Sequence, residues 1–342
     1  MLEEIRQQPE ALDRTLRGGL TAAKKLARIV EKNRPKLIVL AARGTSDNAA
    51  QFARYLLEIT TGIPVSLAAP SIMTLYHARL DLRETMVVAI SQSGQSVDTN
   101  LVLETARKQN ALTVGITNEP RSSLASLAAH VLLVRAGRER SVAATKTYTG
   151  QLMLCYLLAQ ALGAKIRIDD LHRLAEWTEA ALALEPEIAQ RTERYRFMER
   201  AVVVGRGLNY SNAFEFALKL METCYVLADR FSAADFLHGP IAMVERNFPV
   251  FLFSPPGATS ESVRGVIAQL QSLKAETLSI TDRDPQSPAL VIPAKITRRS
   301  PEDLLTPIPY IIPAQLFAAH LAERKGLDPD RPRTIQKVTR TL

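Results

Sequence analysis

Apolar residues fall into short unbroken runs that alternate with longer stretches of helical spacing. Lys36-Leu37-Ile38-Val39-Leu40-Ala41-Ala42 is one such run, and it reads as a strand buried on both faces. Ser46 to Thr60 follows, with Phe52, Tyr55, Leu56 and Ile59 at the spacing of a helix face. Ile63 to Ala68, Thr85 to Ile90, Ala111 to Thr117 and Val131 to Val134 read as further strands. A helix is expected up to Gln109, and a long apolar one over Thr147 to Leu162. The alternation predicts a parallel sheet with helices on both faces. Ahead of it, the segment closed by Asn33-Arg34-Pro35 reads as helix.

Residues 168–198 are charged and helical in pattern, without a strand signal, and read as a connector. The rhythm then restarts. Ala201 to Gly205 is an expected strand, with a helix from Asn209. Phe248 to Phe253 is a second strand with a helix after Gly257, and Glu276 to Ile280 a third. A constant offset of 163 residues relates Ala42-Arg43-Gly44 to Gly205-Arg206-Gly207, and Ser91 to Ser254. A repeat of that length indicates a duplicated domain rather than a solenoid. The fold class is therefore α/β, with two tandem doubly wound parallel-sheet domains and a helical connector. The expected division is 1–35 (helical segment), 36–167 (first domain), 168–198 (connector), 199–330 (second domain) and 331–342 (tail), which fits a length of 342 residues.

Composition narrows the class. With 46% apolar and 23% charged residues, the chain is neither wholly disordered nor fibrous. Lys and Arg exceed Asp and Glu by 43 to 35, a net charge of +8. The basic residues are scattered, with no block interleaved with aromatics, so nucleic acid is not the expected partner. A modest positive field also suits a small anionic substrate. Cys155 and Cys224 lie in apolar helical patterns and read as buried; two cysteines make neither a disulfide framework nor a four-cysteine zinc site. The longest apolar run, Leu152 to Ala159, is far short of the roughly 20 residues of a membrane span. Met1-Leu2-Glu3-Glu4-Ile5-Arg6 has no secretory pattern. A cytoplasmic protein without a membrane partner is expected.

Ser91-Gln92-Ser93-Gly94-Gln95-Ser96 sits between a strand and a helix, at the carboxyl end where parallel sheets bind ligands. A helix N-terminus there offers free N–H groups and partial positive charge, and the hydroxyls add donors. The loop suits a phosphate monoester, and Gly44-Thr45-Ser46 offers a second donor cluster; the alternative is that these residues only cap helices. At the duplicate locus, Pro255 and Pro256 have no N–H to donate, so the second copy is expected to have lost this phosphate grip. Downstream, Glu215, Lys219 and Glu222 share one face of an otherwise apolar helix running from Ser211 to about Val226. That stripe is either an ordinary solvated, ion-paired face or a cavity-facing group with a carboxylate serving as base. His238, before Gly239-Pro240 in an expected loop, is either structural or an acid/base.

Ser91-Gln92-Ser93-Gly94, taken together with Glu215, Lys219, Glu222 and His238-Gly239-Pro240, resembles the double sugar-isomerase-domain (SIS) family. Gly44-Thr45-Ser46, Val142-Ala143-Ala144-Thr145-Lys146, Gly205-Arg206-Gly207 and the tail Pro332-Arg333 with Lys337-Val338-Thr339 also fit, so the resemblance covers nearly the whole chain. It is similar to the isomerase half of glucosamine-6-phosphate synthase, and more so to stand-alone deaminases of glucosamine 6-phosphate and deglycases of phosphorylated fructosamines. The resemblance implies flavodoxin-like domains, no metal or organic cofactor, and a homodimer with shared active sites. It implies phosphate binding by Thr45, Ser46, Ser91, Gln92, Ser93 and Ser96, with the backbone around Val142 on the sugar. Glu222 matches the base that moves a proton between C1 and C2, with Lys219 beside it. His238 matches a ring-opening histidine often supplied by the neighbouring subunit, and Lys337 a tail lysine that forms a Schiff base with the open ketose.

Three departures stand out. Arg43 replaces a small residue, Ala144 replaces a serine, and Met1-Leu2 provides no N-terminal cysteine of a glutaminase. The last favours ammonia release, or isomerisation without amino transfer. The expected reaction is glucosamine 6-phosphate plus water to fructose 6-phosphate plus ammonia. A deglycase and an aldose–ketose isomerase are the alternatives within the class, and a non-catalytic sugar-phosphate sensor the alternative outside it.

Overall fold

The computed structural model describes residues 1–296 and 301–337. In chain order the elements are α1 (Leu2–Arg6), α2 (Gln8–Lys32), β1 (Leu37–Ala41), α3 (Thr45–Thr61), β2 (Val65–Leu67), α4 (Ser71–Thr74), β3 (Thr85–Ile90), α5 (Val97–Lys108), β4 (Leu112–Thr117), α6 (Ser123–Leu127), β5 (His130–Leu133) and α7 (Lys146–Ala161). There follow α8 (Ile168–Leu182), α9 (Glu185–Arg191), β6 (Arg200–Gly205), α10 (Tyr210–Cys224), β7 (Leu227–Ser232), α11 (Ala233–Leu237), β8 (Pro249–Phe253), α12 (Ser260–Ser272), β9 (Glu276–Thr281), β10 (Ala289–Val291) and α13 (Pro307–Arg324). None of these helices is long and apolar enough to cross a membrane.

The residues cluster into two compact units, and neither is one continuous stretch. The first holds Glu10–Glu139 and Lys146–His172 together with the described tail residues 335–337. The second holds Met1–Pro9, Arg140–Thr145 and Arg173–Thr334. The connector helices thus lie largely with the second unit, and α2 largely with the first.

The first unit is a five-stranded sheet in the order β2-β1-β3-β4-β5, parallel throughout. Every residue of β3 is buried, because helices cover both faces of this central strand and leave no polar side for alternation. Val39, Ala41, Val87 and Ala89 meet Val102, Leu103, Ala106 and Leu124 in one core layer. β1 and β3 are neighbours whose connections leave in opposite directions, β1 to β2 and β3 to β4, so the crevice between their carboxyl ends is flanked by the Gly44-Thr45-Ser46 and Ser91–Ser96 turns.

The second unit repeats the plan in the order β10-β9-β8-β6-β7, again parallel. Val202, Val204, Val250 and Leu252 pack against Val263, Val266, Ile267 and Leu270 of α12 and Phe236 of α11. On the other face α10 packs against α13 and β6. Gly205 makes the β6-to-α10 turn possible, since a Cβ there would stand 2.4 Å from the backbone oxygen of Asn209. Phe216, Phe251, Phe317 and Tyr195 form an aromatic cluster, with Phe317 edge-to-face to the other three, that fixes α10 against α13.

Candidate active site

The phosphate-type loop is built by a tight turn after β3. Gly94 has φ +63, and a Cβ there would lie 2.1 Å from Ser122 Oγ, so this position admits only glycine. Ser91 Oγ accepts from the Gly94 amide at 3.1 Å, and Ser93 Oγ from the Gln95 amide at 3.3 Å. Those two amides are therefore already satisfied by serine oxygens, a departure from the free N–H groups expected of the loop. The serine O–H groups are left as the donors. Ser96 is the N-cap position of α5 and its hydroxyl meets Thr99 Oγ1 at 2.9 Å. Ser46 accepts from Gln151 Nε2 at 3.0 Å, and Thr45 opens α3 beside it. Arg43, at the end of the preceding turn, donates to the buried Asp98 at 2.7 Å.

Gln92 and Ser93 border a cavity of about 700 Å³ within this unit, with Arg135, Arg138, Glu139 and Lys337 on its wall. Lys337 Nζ donates to Glu139 Oε2 at 2.9 Å. Glu139 is buried and also accepts from the amide and hydroxyl of Thr147, in the first turn of α7. The tail lysine is therefore held by a carboxylate that is itself fixed at a helix N-terminus. Arg135, Arg138 and Glu139 are not among the site residues expected from the sequence. Their signal is the charged run Arg135 to Arg140, which follows the carboxyl end of β5. Val338 and Thr339 of the same tail lie outside the described residues.

In the second unit, α10 brings Glu215, Lys219 and Glu222 together. Lys219 Nζ is 2.6 Å from Glu222 Oε2 and 3.4 Å from Glu215 Oε1. The Glu215 and Lys219 side chains are fully buried, while that of Glu222 is 25% exposed. The stripe is thus not a solvated face: it runs from the interior to a single accessible carboxylate. Burial alone would pull the Lys219 ammonium toward its neutral form, but the two carboxylates outweigh it and push its pKa above the ordinary lysine value. Lys219 is a buried cation that stays charged.

His238 is not in a plain loop. It caps the short helix α11, its ring is exposed, and no hydrogen bond to the α10 stripe forms among the described residues. Val142 lies in the Arg140–Thr145 segment, where its amide donates to the Asp330 carbonyl at 3.3 Å, leaving its own carbonyl for another partner. Arg333 reaches Tyr225, which follows α10 with φ +54. Its amide donates to the phenol oxygen at 2.7 Å and its guanidinium lies 4.1 Å from the ring centre.

The SIS domain model matches residues 33–161 and 196–322, and these segments carry the two parallel sheets. The chain belongs to the SIS-domain family. A glutamine–fructose-6-phosphate aminotransferase (isomerizing) of Pyrococcus horikoshii is 34% identical to this SIS chain, covering 98% of it and 57% of the relative. The chain spans about half the length of the curated relatives it matches. The C-terminal domain of glucosamine-fructose-6-phosphate aminotransferase from Francisella tularensis superposes with a TM-score of 0.86 at 29% identity, covering 97% of this chain and 98% of that one. Glucosamine-6-phosphate deaminase of Thermotoga maritima shares the fold, with a TM-score of 0.79 at 20% identity and 99% of each chain covered.

Proposed function

We propose that this SIS chain is a phosphosugar isomerase and deaminase that converts glucosamine 6-phosphate and water to fructose 6-phosphate and ammonia. The observation that carries the reading is the α10 stripe: one accessible carboxylate, Glu222, paired at 2.6 Å with a fully buried lysine. A proton transferred between adjacent carbons needs one such base within reach of both. The names of the relatives, which concern a hexose 6-phosphate, support the choice of substrate class.

In this account the hydroxyls of Thr45, Ser46, Ser91, Ser93 and Ser96, with Gln92, bind the phosphate. His238 assists ring opening, and its exposed ring suits delivery to a neighbouring subunit of a homodimer. Glu222 takes the proton from C2 of the open aldehyde, giving an enolamine, and returns it to C1, which leaves an imine at C2. The Lys337 amine then adds to C2 and displaces ammonia, and water releases the ketose from the resulting Schiff base. Glu215 and Lys219 keep Glu222 in place, and the Val142 carbonyl accepts from a sugar hydroxyl.

The test is incubation with a panel of 6-phosphates, with ammonia and ketose phosphate measured together. Equimolar ammonia and fructose 6-phosphate from glucosamine 6-phosphate is the expected result. Release of an amino acid from a fructosamine 6-phosphate, with no ammonia from glucosamine 6-phosphate, would make the protein a deglycase. Ketose formation only from glucose 6-phosphate would make it an aldose–ketose isomerase, and no turnover with retained binding would make it a sensor.

A further inference from the structure

The duplicate of the Ser91 loop lies in a polar, arginine-bearing setting. Ser254 follows β8 as Ser91 follows β3, and α12 begins at Ser260 as α5 begins at Val97, both at the same offset of 163 residues. Pro255 and Pro256 have removed two amide donors from this turn. Even so, the turn borders a cavity of about 260 Å³ at the carboxyl ends of β8 and β9, and its wall includes Ser254, Ser260, Ser279, Thr281, Arg264 and Arg283. Arg264 occupies the α12 position that Leu101 holds on α5. The second copy has thus exchanged amides for guanidinium groups.

Neither arginine makes a close ion pair among the described residues, and Arg283 makes one long one, with the buried Asp282. Arg264 is exposed and makes no ion pair among the described residues. Arg283 Nε makes no hydrogen bond, and its nearest carboxylate oxygen, Asp282 Oδ1, is 3.7 Å away. Asp282 is otherwise engaged, accepting from the Tyr310 hydroxyl at 2.7 Å and from the Ile296 amide at 2.6 Å. Asp284 is the acidic group on the cavity wall, and it is exposed at the rim. Two planar cationic forks with hydroxyls and the N-terminal turn of α12 match the tetrahedral oxygens of a phosphate.

We infer that the second unit contains its own anion site, formed by Arg264, Arg283 and the Ser254 turn, for a small phosphate monoester. It is separate from the Ser91 loop and stands whether or not that loop's assignment holds.

Equilibrium dialysis against labelled inorganic phosphate tests it. The S91A S93A chain should still bind one phosphate, because the Arg264 cavity is untouched. Adding Arg264→Gln to that background should weaken the remaining binding by about tenfold or more, as loss of a charge-assisted hydrogen bond does. Arg264→Lys should restore part of it. Arg264 is exposed on a helix, so melting temperature should not move, and turnover of R264Q in the otherwise unaltered chain should match the parent. An S91A S93A chain that binds no phosphate, or one whose binding is indifferent to Arg264→Gln, would overturn the proposal.

Discussion

Lys219 is the residue on which the α10 stripe depends. It is fully enclosed, and one ammonium serves two carboxylates at 2.6 and 3.4 Å. Removing one partner of a buried ionic group strands the other in a low dielectric, at a typical cost of about 3–5 kcal/mol. Lys219→Met should therefore lower stability by that order in a denaturant melt. Lys219→Met combined with Glu215→Gln should recover part of the loss, because the stranded charge is gone. The spacing of the three residues was legible in the sequence, since i, i+4 and i+7 share a face on any helix. Their depth was not. Glu215 is buried on a helix that packs against α13, β6 and β7, and nothing within residues 211–226 encodes those contacts.

At the scale of elements, the strands read from apolar runs are those the sheets contain, within a residue or two at each end. β10 (Ala289–Val291) is legible as a short apolar run yet is not among the expected strands, whereas β7 and α13 lack the local signal. β7, Leu-Ala-Asp-Arg-Phe-Ser, pairs on one side only and exposes three of its residues to solvent, so it carries no apolar run. α13 begins Pro307-Ile308-Pro309 and contains Pro313, which reads as a breaker. In the structure the first two prolines occupy the opening turn, where no N–H is needed, and Pro313 is buried within the helix. That helix anchors the site through Phe317, whose ring lies 5.0 Å from Phe251 and 5.2 Å from Tyr195. Phe317→Ala should cost about 3–5 kcal/mol, and Phe317→Leu clearly less, by thermal or denaturant unfolding. For the phosphate turn, Ser91→Ala with Ser93→Ala removes two hydroxyl donors. Each hydrogen bond to a charged group contributes about 1.5–3 kcal/mol, so KM for glucosamine 6-phosphate should rise at least tenfold with the fold intact. An unchanged KM would remove this loop from the binding site.

For the molecule as a whole, one acid-sensitive contact ties the N-terminal α1 to α9 in the same unit. Arg6 donates to both oxygens of Glu185 at 2.6 and 3.0 Å, and His320 Nε2 lies 3.1 Å from the same carboxylate. The Arg6 hydrogen bond lowers the Glu185 pKa below its ordinary 4.5, against the opposing effect of burial. A depressed carboxylate contributes stability that is fully present above its unfolded value and is lost as pH falls through the folded one. Stability measured from neutral pH downward should therefore begin to lose this contribution near pH 4.5, and Arg6→Gln should remove that part of the acid slope. The central claim, however, is that Glu222 carries a proton between C1 and C2 of a phosphorylated amino sugar. Its most direct test is turnover of glucosamine 6-phosphate in deuterium oxide, with the product examined at C1 by NMR. The unaltered chain should place solvent deuterium at C1 of fructose 6-phosphate. Glu222→Gln, which keeps the shape and removes the base, should lower kcat by about 10²–10⁴-fold with little change in KM, and leave C1 nearly free of label. Near-normal turnover and labelling by the Glu222→Gln chain would contradict the account.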